Sequence, residues 1–491
     1  MNCCARTATT ARIFGWIFAS LGCVLIGIIG CGEEVDEPVQ KIVVLARLMN
    51  YQEPFVSEKL QAFAKQHGVE VSLEQYNHLS DLEEIVESKR YEGNGSTLAL
   101  IKTHQSVFEP IAAAGLVRSL EDILGEDEAA TVLSEFVPES MELITYGKKH
   151  FGIPRKLESW STIYRVSRVG DVYLGWERFK DEIDAILKLE NGRGLPEGYN
   201  LDLTLDDWDE YDAFVAAYIW RQSSYGQKKM GRLTHRRLLE FGTFMDYAAR
   251  IYALGGVAET LTKGIGPALE DLLMWEAVFI KHDLYLTGVD SDWVWKEFYG
   301  AIYRGDLFMF RFHSVDTFAL RNRQFEFGGE PVFDLDDLTV ALSPAGASLE
   351  LDESGRPART GTLRGVRTGW AWMVPSSCKA PRLGLELARY LSGPEVHGEE
   401  CGRFGMLPVR HDVWSRLDEV FPEEWQRQTI RKSMEQFRES RLVPSREATA
   451  GFLKRLNEAI HELPSLPSVK DKTRPVDRAA IRKLADLIAT P

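Results

Sequence analysis

The sequence predicts an α/β protein whose N-terminal part builds a parallel sheet with helices on both faces. Three short runs have the apolar, β-rich composition of strands: residues 42–46, 69–73 and 97–101. Each is followed by a predicted helix: from about 54 to 66, from 80, and from about 106 to 114. Strands and helices that alternate in this order fold as parallel strands joined by crossover helices.

The individual patterns support each of these elements. Residues 42–46 are wholly apolar, which is typical of a strand covered on both faces, whereas residues 69–73 alternate. Ser80 and Glu83 have the spacing of a capping box, which predicts the start of the second helix. Ligands of parallel sheets gather beyond the carboxyl ends of the strands. Those ends are predicted at residues 47–51 and 102–105.

The next informative stretch is residues 147–164. A turn at Gly147 leads to an extended segment that contains Pro154, which bars helix and favours an extended residue before it. A strand is predicted at residues 162–164, and residues 165–203, rich in glycine and charge, are predicted to be irregular. A helix is then predicted from Thr204, the candidate cap.

The remainder of the chain is predicted to be mixed. Helical periodicity dominates to about residue 305, apart from a basic segment at 226–237 that we interpret as a solvated loop. Further strands are predicted near residues 307–310, 338–342 and 369–374. A helix is predicted from about Pro381, residues 463–476 are predicted to be a loop, and an amphipathic helix closes the chain.

Composition excludes some classes of function. The 491-residue chain has a net charge of −15, which argues against nucleic acid because such binding needs a basic face. Of six cysteines, Cys378 and Cys401 lie in the body of the chain. In an oxidising compartment they could pair, and two separate buried thiols are equally compatible with the sequence.

Residues 12–31 have the pattern of an export signal. Arg6 and Arg12 precede an apolar run that contains no charged residue before Glu33. The run ends in Ile28-Ile29-Gly30-Cys31, which resembles a bacterial lipobox. We therefore predict a lipoprotein signal peptide at 1–30, lipidation of Cys31 and an acidic tether at 31–40. The alternative is an uncleaved transmembrane helix, and both hypotheses place the rest of the chain outside the cytoplasm.

A set of landmarks recurs along the whole chain. They are the lipobox, the first three strands, and the segments 113–117, 147–154, 205–210, 304–309, 343–344, 368–370 and 405–410. In this order and spacing the chain resembles the extracellular solute-binding proteins of family 1, the maltose-binding-protein-like receptors of ABC importers. The resemblance spans nearly all of residues 40–460.

The resemblance implies a two-lobed periplasmic-binding-protein fold of type II, whose lobes are joined by crossing strands and close on a solute. The crossings map near residues 153–158, 310–313 and 367–372. The N-terminal lobe maps to 41–153 and 313–369, and the C-terminal lobe to 154–312 and 370–491. The implied partners are a small solute, most often a sugar or oligosaccharide, and ABC permease subunits. The implied state is a monomer without cofactor.

Sugar recognition requires aromatic faces that stack on sugar rings and planar polar groups that pair with hydroxyls. Residues of these types lie at the predicted strand ends and crossings. The candidate ligand-binding residues are Tyr51, His104, Arg155, Glu158, Trp160, Arg311, His313 and Trp370. Of the two tryptophans at 370 and 372, we expect only one to face the cleft and favour Trp370, which directly follows a glycine.

Motifs for other chemistry are not found. The sequence has no nucleophile elbow, zinc-binding helix motif or phosphate loop, so we predict neither catalytic residues nor a metal. Two alternative functions remain open: an exported carbohydrate-active enzyme, and a solute-binding sensor without a transport role.

Overall fold

A computed structural model describes residues 41–88, 91, 95–222, 241–285, 295–307, 309–324, 329–361 and 363–489. The strands in this part of the chain are β1 (Lys41–Ala46), β2 (Glu70–Gln75), β3 (Ser96–His104), β4 (Thr145–Tyr146), β5 (Lys149–His150), β6 (Ile153–Ser159), β7 (Ser161–Arg165), β8 (Met309–Phe312), β9 (Leu338–Ala341), β10 (Gly365–Met373) and β11 (Ser440–Leu442).

Helices make up most of the remaining regular structure. Those of the first half are α1 (Glu53–His67), α2 (Asp81–Glu87), α3 (Gln105–Ala113), α4 (Leu120–Leu124), α5 (Glu126–Leu133), α6 (Val166–Asn191), α7 (Glu210–Gln222), α8 (Phe241–Ala253), α9 (Ala258–Lys263) and α10 (Pro267–Lys281). Those of the second half are α11 (Trp295–Tyr303), α12 (Ser314–Arg321), α13 (Pro381–Leu391), α14 (Pro394–Phe404), α15 (His411–Trp414), α16 (Leu417–Val420), α17 (Glu424–Arg438), α18 (Arg446–Glu462), α19 (Pro467–Lys470) and α20 (Arg478–Ala489).

The main sheet contains six strands. Its order is β11-β10-β3-β1-β2, and β6 pairs with β10 in addition. β1 is parallel to β2 and β3, whereas β10 runs antiparallel to β3 and β6. A separate three-stranded antiparallel sheet has the order β8-β7-β9. Because β6 and β7 are separated only by Trp160, the chain passes directly from one sheet into the other.

Buried apolar side chains form three clusters. The first surrounds the main sheet and contains residues between 42 and 157, Val315 and Phe318, and residues between 371 and 437. The second contains the helices that follow β7 and the C-terminal helices, from Trp160 to Ile488. The third is smaller and lies around β8 and α11. The described residues from 41 onward nevertheless form one compact unit.

The predicted β-α-β-α-β-α order of the N-terminal part is confirmed by β1 to α3, and the α/β fold class is confirmed with it. The parallel register of β1 with its two neighbours follows from the crossover helices α1 and α2. The capping box at Ser80 is wrong, because Ser80 has helical backbone angles and its side chain makes no cap hydrogen bond.

The prediction that residues 165–203 are irregular is wrong, because α6 occupies 26 of these residues. Two glycines of this stretch, Gly170 and Gly175, lie inside the helix. A Cβ at Gly175 would stand 2.2 Å from Cγ2 of Ile219 on α7. The glycine therefore permits close packing of α6 on α7 and is not a helix breaker.

The predicted start of the next helix is also wrong. A short 3-10 turn, Leu205–Asp207, precedes α7, and Thr204 makes no side-chain cap. Asp209 takes the role of the cap, since its carboxylate accepts hydrogen bonds from the backbone N–H groups of Tyr211 (2.7 Å) and Asp212 (3.2 Å). Residues 463–476, predicted to be a loop, contain a 3-10 turn and the short helix α19.

Some predictions fall outside the described residues: the signal peptide, Cys31, the tether and the basic segment at 226–237. Within the described residues, no helix is long and apolar enough to cross a membrane. Cys378 and Cys401 are both buried free thiols, so the possible disulfide between them does not form in this structure.

Candidate functional site

Most of the predicted binding residues converge at the carboxyl ends of β1 and β3, where the main sheet meets the smaller one. We call the group the central polar cluster. Its members are Tyr51, Lys102, His104, Arg155, Lys156, Glu158, Trp160, His313, Asp316 and Trp370. The position agrees with the rule that ligands of parallel sheets gather at the carboxyl edge.

A bulge in β6 shapes this cluster. Ala371 pairs with Pro154 and Trp370 pairs with Lys156, so Arg155 is an extra residue in β6. An extra residue interrupts the alternation of side chains and re-aims them. Arg155 and Lys156 consequently both lie over tryptophan rings of β10, with the Arg155 guanidinium 5.5 Å from the ring of Trp372 and the Lys156 Nζ 5.8 Å from that of Trp370.

Two glycines make the approach of β10 to β6 possible. A Cβ at Gly369 would lie 2.5 Å from the carbonyl oxygen of Lys156 and 2.3 Å from Cδ1 of Leu143. Gly152, which precedes β6, has φ of +90° and leaves room for the Trp372 carbonyl. These two positions let β6 come close enough to β10 for the cluster to form.

Glu158 is the anionic centre of the cluster. It is 8% exposed and forms an ion pair with Lys156, and its Oε2 lies 3.6 Å from Nε2 of His104. Thr368 donates a further hydrogen bond of 3.4 Å. Burial alone would raise the pKa of this carboxyl, but the charges of Lys156 and His313 and the hydrogen bond from His104 lower it well below its usual range. Glu158 is therefore ionised.

His104 is held as the neutral imidazole. Its Nδ1 accepts the backbone N–H of Ser106 at 3.1 Å, which assigns the ring proton to Nε2, facing Glu158. Burial lowers the pKa of His104 despite the neighbouring carboxylate. The imidazole packs edge-on against Trp370, with 4.8 Å between the ring centroids.

Lys102 brings a second buried amine to the cluster. Its Nζ donates to the carbonyl oxygen of Arg47 beyond the end of β1, and lies 4.0 Å from the centre of the Trp370 ring. Burial, together with the charges of Arg155 and Lys156, lowers the pKa of Lys102 well below its usual value. Lys102 therefore loses its proton more readily than an exposed lysine does, unless a nearby anion stabilises the ammonium form.

Arg155 is fully buried at 0% exposure. Its Nη2 donates to Glu400 on α14, while Nε and Nη1 have no hydrogen-bond partner among the described residues. Burial of a guanidinium with only some of its N–H groups hydrogen-bonded lowers stability, because the other N–H groups have lost their hydrogen bonds to water and gained none.

The other side of the cluster comes from β8, α12 and the residue between the two sheets. The ring of Trp160 lies 5.1 Å from that of His313, whose Nδ1 is 3.2 Å from the Ser159 carbonyl oxygen. Asp316 accepts hydrogen bonds from Tyr299 (2.9 Å) and from the His313 backbone N–H (3.2 Å). Burial raises the pKa of Asp316, which favours its neutral form.

Tyr51 connects the two sides, because it packs against both the first and the third apolar cluster. Burial and the charges of Asp316 and Glu158 raise the pKa of its hydroxyl, so that it is a phenol at neutral pH. The cluster thus combines aromatic rings, the neutral donors of Tyr51 and His104, and several charged groups, where the three apolar clusters meet.

Among the predicted residues, Arg311 forms its ion pair outside the cluster. Its Nη1 donates to Asp246 on α8 at 3.0 Å, within the second apolar cluster. The expectation that only one of Trp370 and Trp372 faces the site is corrected as well, since residues two apart share a face of a strand. Both Trp370 and Trp372 lie against cations of the cluster.

Sequence reasoning missed four members or neighbours of the cluster: Lys102, Lys156, Asp316 and Glu400. Lys156 lies between two residues that were selected, and the bulge that re-aims it leaves no sequence pattern. Asp316 and Glu400 lie on helices, where an acidic residue usually indicates a solvated face.

Two surface grooves lie apart from the cluster, on either side of Pro394. One, of about 480 Å³, is lined largely by α14 and α16, and the other, of about 520 Å³, by α1 and α13. Neither is lined by a predicted binding residue. Because the cluster concentrates buried charges and aromatic rings, we assign the site there. Among the described residues, no group of three His, Cys, Asp or Glu side chains could hold a metal ion.

The architecture defines the class of fold. It is the two-lobed α/β fold of the maltose-binding-type substrate-binding proteins of ABC transporters, and the predicted resemblance is confirmed at the level of the fold. No protein-family model and no curated protein sequence matches the chain.

Three solved structures illustrate the similarity. Maltose-bound T. maritima MalE3 is 15% identical and aligns over 91% of this chain and 98% of its own, with a TM-score of 0.62. The GacH receptor of Streptomyces glaucescens, solved unliganded and with acarbose, is 14% identical and aligns over 91% of this chain and 99% of its own, also with a TM-score of 0.62. A Thermotoga lettingae ABC transporter solute-binding protein bound with α-D-tagatose is 14% identical, aligns over 92% of this chain and 100% of its own, and has a TM-score of 0.58.

Proposed function

We propose that this protein is a solute-binding receptor that takes up a saccharide between its two lobes and delivers it to an ABC importer. The observation that carries the proposal is the central polar cluster, in which tryptophan and histidine rings enclose buried charged groups at the carboxyl edge of the sheet. Solved proteins with this fold are described as bound to maltose, acarbose or tagatose. Rings of this kind stack on sugars, and the charged planar groups pair with hydroxyls.

We propose that the two lobes open and close about β6, β7, β8 and β10 as the solute is released and bound. The apolar clusters group the chain differently from the predicted lobe boundaries. Residues 371–437 share a core with residues 42–157, and residues 341–366 share one with the helices after β7. Accordingly, we propose lobes of about 41–159 with 371–437, and 160–366 with 440–489. Residues 153–160 then form a crossing between them.

We further propose that Cys31 is lipidated and holds the receptor at a bacterial membrane on its outer side. The support is the lipobox-like sequence that ends the apolar run. Labelling with a radioactive fatty acid should mark the protein, and Cys31→Ser should abolish the label and release the protein from membranes. A Cys31→Ser protein that remains membrane-bound would favour the uncleaved transmembrane helix.

Binding is tested by a thermal-shift screen against mono- and oligosaccharides. A ligand that binds only the folded state at about 100 times its Kd adds about 2.7 kcal/mol to the free energy of unfolding. We expect one saccharide class to raise Tm and to be recovered chemically unchanged. Cleavage of the saccharide would favour the carbohydrate-active enzyme, and no shift with any saccharide would contradict the proposal.

Delivery to an importer is tested separately. Cells that lack the protein should lose uptake of the bound saccharide, and the receptor should cross-link to permease subunits in the presence of ligand. Unchanged uptake together with saccharide binding would favour the sensor without a transport role.

A further inference from the structure

Buried side-chain donors without partners accumulate at the central polar cluster. They include Nε and Nη1 of Arg155 and the indole Nε1 atoms of Trp160, Trp370 and Trp372, none of which has a hydrogen-bond partner among the described residues. On the acceptor side, Oε1 of Gln105 at the end of β3 is likewise unpartnered. Donors therefore outnumber acceptors in this region.

The nature of these donors restricts the group that can satisfy them. Indole and guanidinium N–H groups cannot act as acceptors. A sugar hydroxyl both donates and accepts, so each hydroxyl bound here would bring a proton that itself needs an acceptor. A carboxylate, phosphate or sulfate ester only accepts, and its negative charge strengthens a hydrogen bond from a guanidinium N–H group.

The charges around the donors agree with this restriction. Lys102, Arg155 and Lys156 are each 7% exposed or less. The carboxylates that face them are Glu158, which is bound to Lys156 and His104, and Glu400, which is bound to Arg155. The third acid, Asp316, accepts its hydrogen bonds from Tyr299 and the His313 backbone N–H.

We infer that the ligand is an anionic saccharide whose oxyanion, a uronate carboxylate or a phosphate or sulfate ester, accepts a hydrogen bond from an unpartnered N–H group of Arg155 beside Lys102. This inference rests on the proposed function. The rings of Trp160, Trp370 and His104 would then contact the sugar itself. Approach of the anion would also stabilise the protonated form of Lys102, whose ammonium burial otherwise disfavours.

The test compares matched ligands by calorimetry on the full-length protein purified in detergent. Each set consists of a glucose-containing disaccharide, the same disaccharide with a glucuronate in place of that glucose, and its phosphate and sulfate esters. We expect an oxyanion-bearing member to bind about ten to a hundred times more tightly than the neutral one, as hydrogen bonds to a charged group imply. The tightest member identifies the oxyanion.

Equal or tighter binding of the neutral disaccharide would overturn the inference and leave the proposed function intact. Failure of a broad panel of neutral and anionic saccharides to bind would overturn both.

Two variants test the assignment of the oxyanion to Arg155. Arg155→Lys keeps a cation beside Glu400 but removes the unpartnered guanidinium N–H groups, and the double variant R155M/E400M removes both charges. Both should reduce the preference for the anionic ligand about tenfold or more, with a smaller effect on the neutral ligand. Arg410→Lys is the matched control, because Arg410 is also buried but pairs with Glu135 and Asp412. A preference retained in both Arg155 variants, each checked for a cooperative thermal transition, would overturn the assignment.

Discussion

Two arginines in the described part of the chain are completely buried, and their surroundings differ in an instructive way. Arg250 on α8 donates to Glu210 through Nε at 3.1 Å and Nη2 at 3.5 Å, and to Glu276 through Nη1. Arg155 in β6 donates through Nη2 to Glu400, and its other two nitrogens are unpartnered among the described residues. Both side chains are 0% exposed.

The difference separates a structural ion network from the proposed binding site. Burial would lower the pKa of Arg250, but the charges of Glu210 and Glu276 raise it well above its usual value. Every nitrogen of that guanidinium is used to hold α7, α8 and α10 together. Arg155 has two nitrogens without an acceptor among the described residues, where the apolar clusters meet. Leaving these N–H groups unpaired costs stability, and we propose that a ligand supplies the acceptor.

The largest effect is expected from removing Arg250. Arg250→Met leaves Glu210 and Glu276 buried without their cation, so the free energy of unfolding should fall by about 3–5 kcal/mol. Urea unfolding followed by circular dichroism measures the loss. A decrease below about 1 kcal/mol would show that these carboxylates do not depend on Arg250, and would remove the contrast with Arg155.

A pH effect is expected beside Arg155. His397 is fully buried, its Nε2 accepts the Val409 N–H at 3.1 Å, and burial, with the charges of Arg410 and Arg155, lowers its pKa to about 3. The unfolded chain takes up this proton near pH 6.5 and the folded chain does not. Stability should therefore fall as the pH drops below about 6.5, by up to about 1.4 kcal/mol per pH unit from this residue.

Unfolding of the wild type and His397→Gln between pH 7 and pH 4 measures this contribution. Glutamine keeps an acceptor near the Val409 N–H but cannot titrate, so the pH slope should become shallower. An unchanged slope would contradict the assignment of a neutral His397.

α6 packs on α7, the helix that carries Glu210. This packing supports the ion network of Arg250, Glu210 and Glu276. Gly175→Ala places a Cβ 2.2 Å from Ile219, and overpacking of this kind costs about 1–3 kcal/mol. Gly170→Ala on the same helix meets no atom within 4 Å and should stabilise the protein by up to about 1 kcal/mol. Thermal unfolding of the two variants should give shifts of opposite sign, and equal shifts would contradict the close contact.

The smallest stability effect is expected at the binding site. R155M/E400M replaces a buried ion pair by apolar side chains and removes the unpartnered donors of Arg155. The free energy of unfolding should change by no more than about 1 kcal/mol, or rise. A loss as large as that of Arg250→Met would mean that Arg155, too, serves mainly to hold the fold together.

Much of the first half of the fold could be predicted, because alternating strands and helices leave strong periodic signals in β1 to α3. The helix α6 could not, since Gly175 is explained only by Ile219, a contact across 44 positions of the chain. The carboxyl ends of β1 and β3 pointed to Tyr51 and His104, which lie in the central polar cluster. Lys156 was missed because a bulge, which has no sequence signature, re-aims it.

Arg311 shows the opposite failure. It lies in β8 next to the cluster, as predicted, but its side chain forms an ion pair with Asp246 on α8. Position along a strand can be predicted from sequence, whereas the ion pair that a side chain forms depends on tertiary packing.

The central claim is that the solute binds at the central polar cluster. Hydrogen exchange of backbone amides with and without the saccharide selected by the thermal-shift screen tests it most directly, because ligand binding suppresses local opening. The account predicts slower exchange in residues 100–105, 153–160 and 309–313. Slower exchange confined to the grooves beside Pro394, with β6 and β8 unchanged, would contradict it.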